Sequence, residues 1–358
     1  MRLVPRELQV VLADVVAAQD DEGRLAQARL EAFCRGGHRG SLENNAAHLQ
    51  KLVGRQRRGR GIIWPVNNRP TVSDLAPALV APLLFGLGAT ASKALLADIP
   101  PLMLAGILYL ASGLGLGAVW LLRPRAGGMA GAPLERADMP WLAGAILCGG
   151  ALGPVLLMLG LVKTSASAAS LLLNLETAFT AGLAWLVFGE RASKRLVLAV
   201  ALVLAGGVVL SWPEPGAIAD ARWHGSLLVA AACLAWGVDN NLSQRISGKD
   251  PVTIAALKGL VAGSVNVALA FAAGDRLPAA SLLVRAGVVG FLSYGVSLVC
   301  FILSLRRVGS ARTGLYFALA PFFGAAAGIL FLHEPMTVRL GLGAALMAAA
   351  ALFALRTD

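Results

Sequence analysis

A carboxylate in the middle of an apolar run is the most informative residue of this chain. Glu176 lies in Leu171-Leu-Leu-Asn174-Leu-Glu176-Thr177-Ala-Phe-Thr180, with apolar residues continuing on both sides. A charged side chain near a bilayer centre costs at least about 2.5–3.5 kcal/mol on insertion scales, so an acid there needs a reason. It can hold a proton or a polar solute, or it can be a structural acid paired with a buried cation. Asn174 precedes it by two residues, and Thr180 lies one turn later on the same helical face.

Asp239-Asn240-Asn241, with Gln244 about one turn on, forms a second polar group. It fits the lining of a central cavity, or a polar helix end at the headgroups. Its oxygens suit a hard cation, but the spacing matches no recognised metal loop. Lys258 and Lys93 lie in apolar runs, where a long stem lets the ammonium snorkel to an interface. Lys258 could instead neutralise Glu176 or Asp239. Asn174, Asn266, Tyr294 and Tyr316 are uncharged polar groups inside apolar runs. Each could line a path or make one interhelical hydrogen bond, worth about 0.6 kcal/mol on average.

The elements that must position these groups are membrane helices. The chain is 57% hydrophobic and 14% charged, against about 25% charged in soluble domains. A spanning helix needs about 20 mostly apolar residues. Runs of that length are predicted at 75–95, 101–122, 140–161, 166–188, 196–212, 225–244, 252–273, 284–305, 313–332 and 338–355. The expected fold is an all-α integral membrane protein of ten transmembrane helices.

The formal net charge of +11 does not point to nucleic acid. Twelve of the 31 Lys and Arg lie in residues 1–70, and most others lie between the apolar runs. With both termini in the cytoplasm, the inside loops and tail hold Arg123, Arg125, Arg136, Arg191, Lys194, Arg195, Arg245, Lys249, Arg306, Arg307, Arg312 and Arg356. The outside loops hold Lys163, Arg222, Arg276, Arg285 and Arg339. That asymmetry is the positive-inside signature. It predicts a multi-pass protein of the plasma membrane with both ends cytoplasmic. Residues 1–70 have no apolar core of a signal peptide. They are expected to form a partly helical or disordered cytoplasmic extension, or to reflect a start placed too far upstream.

The chain repeats itself. Phe85-Gly86 through Ser92-Lys93 aligns with Trp236-Gly237 through Ser243-Gln244, and the segment ending Gly189-Glu190 aligns with the one ending His333-Glu334. The halves are 71–213 and 224–356. Five spans per half is odd, so the second half enters the membrane inverted, the plan of many secondary transporters.

In these features the chain resembles the drug/metabolite transporter superfamily, in its EamA-type branch, over about residues 71–356. The matching residues are Lys93 late in the first span, the helix ends Gly189-Glu190 and His333-Glu334, and Pro321 thirteen residues before Glu334. The first half has Thr177 where that proline would stand, preceded by Glu176, so the resemblance leaves a kink there open. The resemblance implies a secondary carrier, an exporter of a metabolite, amino acid or drug-like solute, with protons as a coupling ion. It also raises the functional weight of Lys93.

Two other classes compete. A membrane-embedded enzyme acting on lipid would need clustered His, Asp or Glu at one face, and the isolated Glu176 argues against it. A non-transporting scaffold would use residues 1–70 as its interaction module. There is no P-loop, no cofactor motif and no His pair at metal-binding spacing. Cys148, Cys233 and Cys300 read as buried small hydrophobes.

Overall fold

The computed structural model describes residues 72–122, 133–187, 194–212, 221–308 and 310–355. The extension 1–70 and the Gly189-Glu190 helix end lie outside the described residues. Within them the chain is helical, with no strand.

The first half contains α1 (Val72–Leu95), α2 (Pro101–Leu122), α3 (Met139–Ala145), a π-helical segment Ile146–Leu152, α4 (Gly153–Lys163), α5 (Ala166–Leu172), α6 (Leu175–Leu186) and α7 (Lys194–Ser211). The second contains α8 (Ala221–Gln244), α9 (Pro251–Ala272), α10 (Ala280–Gly290), a π-helical segment Phe291–Val296, α11 (Ser297–Val308), α12 (Ser310–Phe317), α13 (Ala320–Phe331) and α14 (Val338–Leu355). Among the described residues, seven segments are long and apolar enough to cross a membrane, the longest being Arg136–Lys163 with 28 residues. Of the other expected spans, α8 is long but carries His224, Asp239, Asn240, Asn241 and Gln244. The ninth is divided between α12 and α13, and in α14 the apolar stretch Val338–Phe353 is shorter than the seven.

The repeat is visible in the packing. The most extensive pairing is α2 on α9, the second helix of each half, followed by α7 on α14, the last of each half. The third segment of the first half (α4) packs on α8; correspondingly, the third of the second half (α11) packs on α1. Exchanging the halves leaves the pattern unchanged. Residue contacts obey the same exchange. Gly86 of α1 abuts Phe323 and Gly324 of α13, and its sequence counterpart Gly237 of α8 abuts Phe179 and Thr180 of α6.

Small residues make the central pairing possible. Without water to exclude, membrane helices gain mainly by close packing, which small residues permit. A Cβ on Gly259 would lie 2.7 Å from the Gly113 Cα, so the backbones of α2 and α9 touch there. Gly259→Val is therefore expected to cost about 3 kcal/mol, the upper part of the overpacking range, because neither backbone can yield. A detergent melt would read it, and an unchanged midpoint would contradict this contact.

Two irregularities recur in both halves. The fourth segment breaks between α5 and α6, although no proline stands there. The break that Thr177 left open is therefore present without a proline. The Asn174 side chain donates from Nδ2 to the Leu171 carbonyl at 2.9 Å, the acceptor that the Leu175 N–H would use in a continuous helix. Asn residues compete with the helix ladder in this way. The backbone answers with tighter bonds, Asn174 N–H to Leu171, Glu176 N–H to Leu173 and Thr177 N–H to Asn174. In the second half Pro321 begins α13 after the break at Ala318–Leu319. The π-helical segments occupy matching places in the third and eighth spans. Such bulges are frequent at functional sites.

Candidate functional site

The break sets Glu176 in the first turn of α6. A helix N-terminus carries partial positive charge, which favours a carboxylate. Glu176 Oε1 accepts from Asn240 Nδ2 at 2.8 Å, and the same amide donates to Thr180 Oγ1 at 3.1 Å. Asn241 Nδ2 donates to the Thr180 carbonyl at 3.1 Å and to the Gly237 carbonyl at 2.8 Å. These bonds join α6 of the first half to α8 of the second. Both helices face a cavity of about 450 Å³, with Leu196 of α7 on its wall. It runs from Glu176 past Thr180 to Trp185 and Gln244. Those last two residues mark the end of the bundle that carries Lys194, Arg195, Arg245 and Lys249.

Behind the cavity wall lies an ion pair. Lys258 Nζ donates to Asp239 Oδ1 at 2.7 Å and Oδ2 at 2.6 Å, and Ser243 Oγ donates to Oδ1 at 2.9 Å. Lys258 thus turns to Asp239 rather than snorkelling. The pair packs on the first π-helical segment: a Cβ on Gly149 would fall on the Asp239 carboxylate, and one on Gly150 would lie 3.1 Å from Lys258. A π turn misaligns backbone carbonyls, and side chains from other helices satisfy them here. Tyr109 O–H and Trp236 Nε1–H donate to the Gly149 carbonyl at 3.1 and 2.9 Å. Asn266 donates to the Ala151 carbonyl at 3.3 Å, a structural role.

The remaining sequence candidates sit apart from the cavity. Asn174 serves the helix break and reaches the Met347 sulfur at 3.5 Å. Tyr316 is half-buried on α12. Lys93 donates to the Leu161 and Val162 carbonyls, which closes the C-terminal end of α4. Near it, Glu334 accepts from the Ala166 N–H at 2.6 Å and the Ser167 N–H at 2.7 Å. Its oxygens thus cap the N-terminus of α5. Helix α13 ends with His333 at φ 54°, a left-handed residue that turns the chain back. No sequence signal marked this cap, because its partners are 167 and 168 residues away.

At the opposite end Lys249 donates to Glu135 at 2.9 Å and lies 3.1 Å from Asp138. The Glu135 hydrogen bond comes first among the causes that hold the Lys249 ammonium above its usual range. Its charge, and this contact, therefore persist until the pH rises past that raised value. Among the described residues no His, Cys, Asp or Glu cluster could hold a metal ion.

A doubled helical repeat with polar groups between its halves defines a membrane transporter. The EamA-like transporter family model matches twice, over residues 75–212 and 223–356, and the chain belongs to that family. An uncharacterized transporter of Methanothermobacter thermautotrophicus is 28% identical over 282 residues, which are 75% of this chain and 82% of that protein. A solved crystal structure shares the fold at a TM-score of 0.57 and 21% identity, over 79% of this chain and 95% of that one.

Proposed function

We propose that the protein is a secondary carrier that exports a small metabolite, amino acid or drug-like solute. Ten spans in two inverted halves would alternate access to the cavity, with both termini in the cytoplasm and protons as the coupling ion. One observation carries this reading. A membrane-embedded carboxylate, Glu176, faces a cavity and is held by Asn240 of the other half. Relative movement of the halves must remake that bond. A group whose partners change between two states can bias the equilibrium between them. Lys93, Lys258 and Tyr316 act on the path only indirectly in this reading, through the packing of α1, α9 and α12.

The test starts from cells with and without the protein, compared for accumulated and depleted metabolites. The solute that differs is then followed in sealed vesicles under an imposed pH gradient. Wild type should move it in response to the gradient. Glu176→Gln should lower that response by about 100-fold, the scale of removing a single essential proton acceptor. Unchanged transport by Glu176→Gln would take this residue out of the mechanism. Turnover of a lipid with no solute movement would favour the enzyme reading instead.

A further inference from the structure

Among the described residues, the polar groups facing the cavity carry one charge, the carboxylate of Glu176. Asn240 spends its amide N–H groups on Glu176 and Thr180. Asn241 spends both of its own on the carbonyls of Thr180 and Gly237. The orientations of both amides are fixed chemically, since a carboxylate and backbone carbonyls only accept. Among the described residues, no donor reaches Glu176 Oε2, Asn240 Oδ1 or Asn241 Oδ1. Neither Glu176 Oε2 nor Asn241 Oδ1 is sealed from solvent without a partner, and Asn240 is an exposed residue. Gln244 brings one donor group and one acceptor, and the Thr177 and Thr180 hydroxyls and the Trp185 N–H add further neutral donors. Among the described residues no basic side chain lines the cavity, and the nearby Lys258 is bound to both oxygens of Asp239.

We propose that this cavity takes a small organic ammonium ion, held by the Glu176 carboxylate and the amide oxygens of Asn240 and Asn241, with its apolar part against Trp185. The inference rests on the carrier reading and names its substrate class. An ammonium group brings donors and positive charge, which such a set of acceptors requires. A carboxylate-bearing solute would meet the negative charge of Glu176, which the neutral donors of Thr177, Thr180, Trp185 and Gln244 do not offset. The indole of Trp185 offers a face that attracts cations as well as apolar groups. A dehydrated metal ion also seeks oxygens, but it needs six or more ligands close together. A cavity of about 450 Å³ with one carboxylate is too open for that and matches a molecule instead.

The test uses the full chain, purified in detergent in potassium phosphate buffer. Phenethylammonium, phenylacetate and sodium chloride are each titrated while the thermal midpoint is followed. Phenethylammonium should raise the midpoint and phenylacetate should not. The apparent dissociation constant should weaken by at least about tenfold in Glu176→Gln, as expected for loss of a charge-assisted contact. Should that variant fail to fold, Asn240→Ser carries the same expectation, since it removes one acceptor and leaves the carboxylate. Phenylacetate binding as well as the amine would overturn the proposal. So would amine binding that is unchanged in the variant or absent from wild type, or an equal Glu176-dependent effect of sodium chloride. The carrier reading fails separately. Ammonium that binds but never crosses sealed vesicles would contradict transport, whereas an anion that crosses without ammonium binding would contradict only the substrate class.

Discussion

Lys258→Met is expected to destabilise the protein by about 3–5 kcal/mol, the range found when one partner of a buried ion pair is removed. Methionine fills nearly the same volume, so the loss reports charge rather than a cavity. Asp239 is only 5% exposed, and its carboxylate lies against Gly149 of the first π-helical segment. Ser243 alone cannot compensate a carboxylate that has lost two charged hydrogen bonds. The double variant Asp239→Asn/Lys258→Met should recover most of the loss, because a neutral amide can keep the Ser243 contact without a buried charge. Unfolding midpoints of the four proteins in detergent form a double-mutant cycle, and a coupling energy near zero would show that the pair stabilises nothing. The functional corollary concerns rigidity. The pair ties α8 to α9, so the wall that carries Asn240 and Asn241 is held from behind.

The apolar runs and the doubled pattern were legible in the sequence because both follow from length and spacing. Glu176 was legible for the same reason: its cost in lipid is a property of one residue type at one depth. What its neighbours do was not. The choice for Lys258 between snorkelling and pairing depends on where α9 lies relative to Asp239, a relation that no local pattern encodes. The break before Glu176 was left open because proline was the expected cause. Asn174 produces it through its own backbone contact, which leaves only a common residue type as a signal. The two π-helical segments left no mark in the apolar pattern either. Gly149 and Gly150 are visible in the sequence, but their reason is the approach of Asp239 and Lys258 from the other half.

Glu334→Ala is expected to cost about 3 kcal/mol, because hydrogen bonds to a charged group are worth about 1.5–3 kcal/mol each and two are lost. The carboxylate sits on the N-terminus of α5, where the helix dipole adds to the attraction. Its fit is close. A Cβ on Gly328 would lie 2.9 Å from Glu334 Oε2 and 2.9 Å from the Ser167 nitrogen, so α13 presses directly on α5 at this point. The bonds tie the end of α13 to the start of α5, at the opposite end of α5–α6 from Trp185. If the halves alternate access, opening at the Glu334 end must break them. Their loss then favours the state open at that end by about 3 kcal/mol, roughly a 150-fold change in population ratio. A cysteine introduced at Ser167 and treated with a membrane-impermeant maleimide distinguishes the two effects. Lower stability with unchanged labelling means the cap is structural only. Faster labelling in Glu334→Ala, with Gly328→Leu shifting the rate in the same direction, means that this carboxylate holds one gate of the carrier shut.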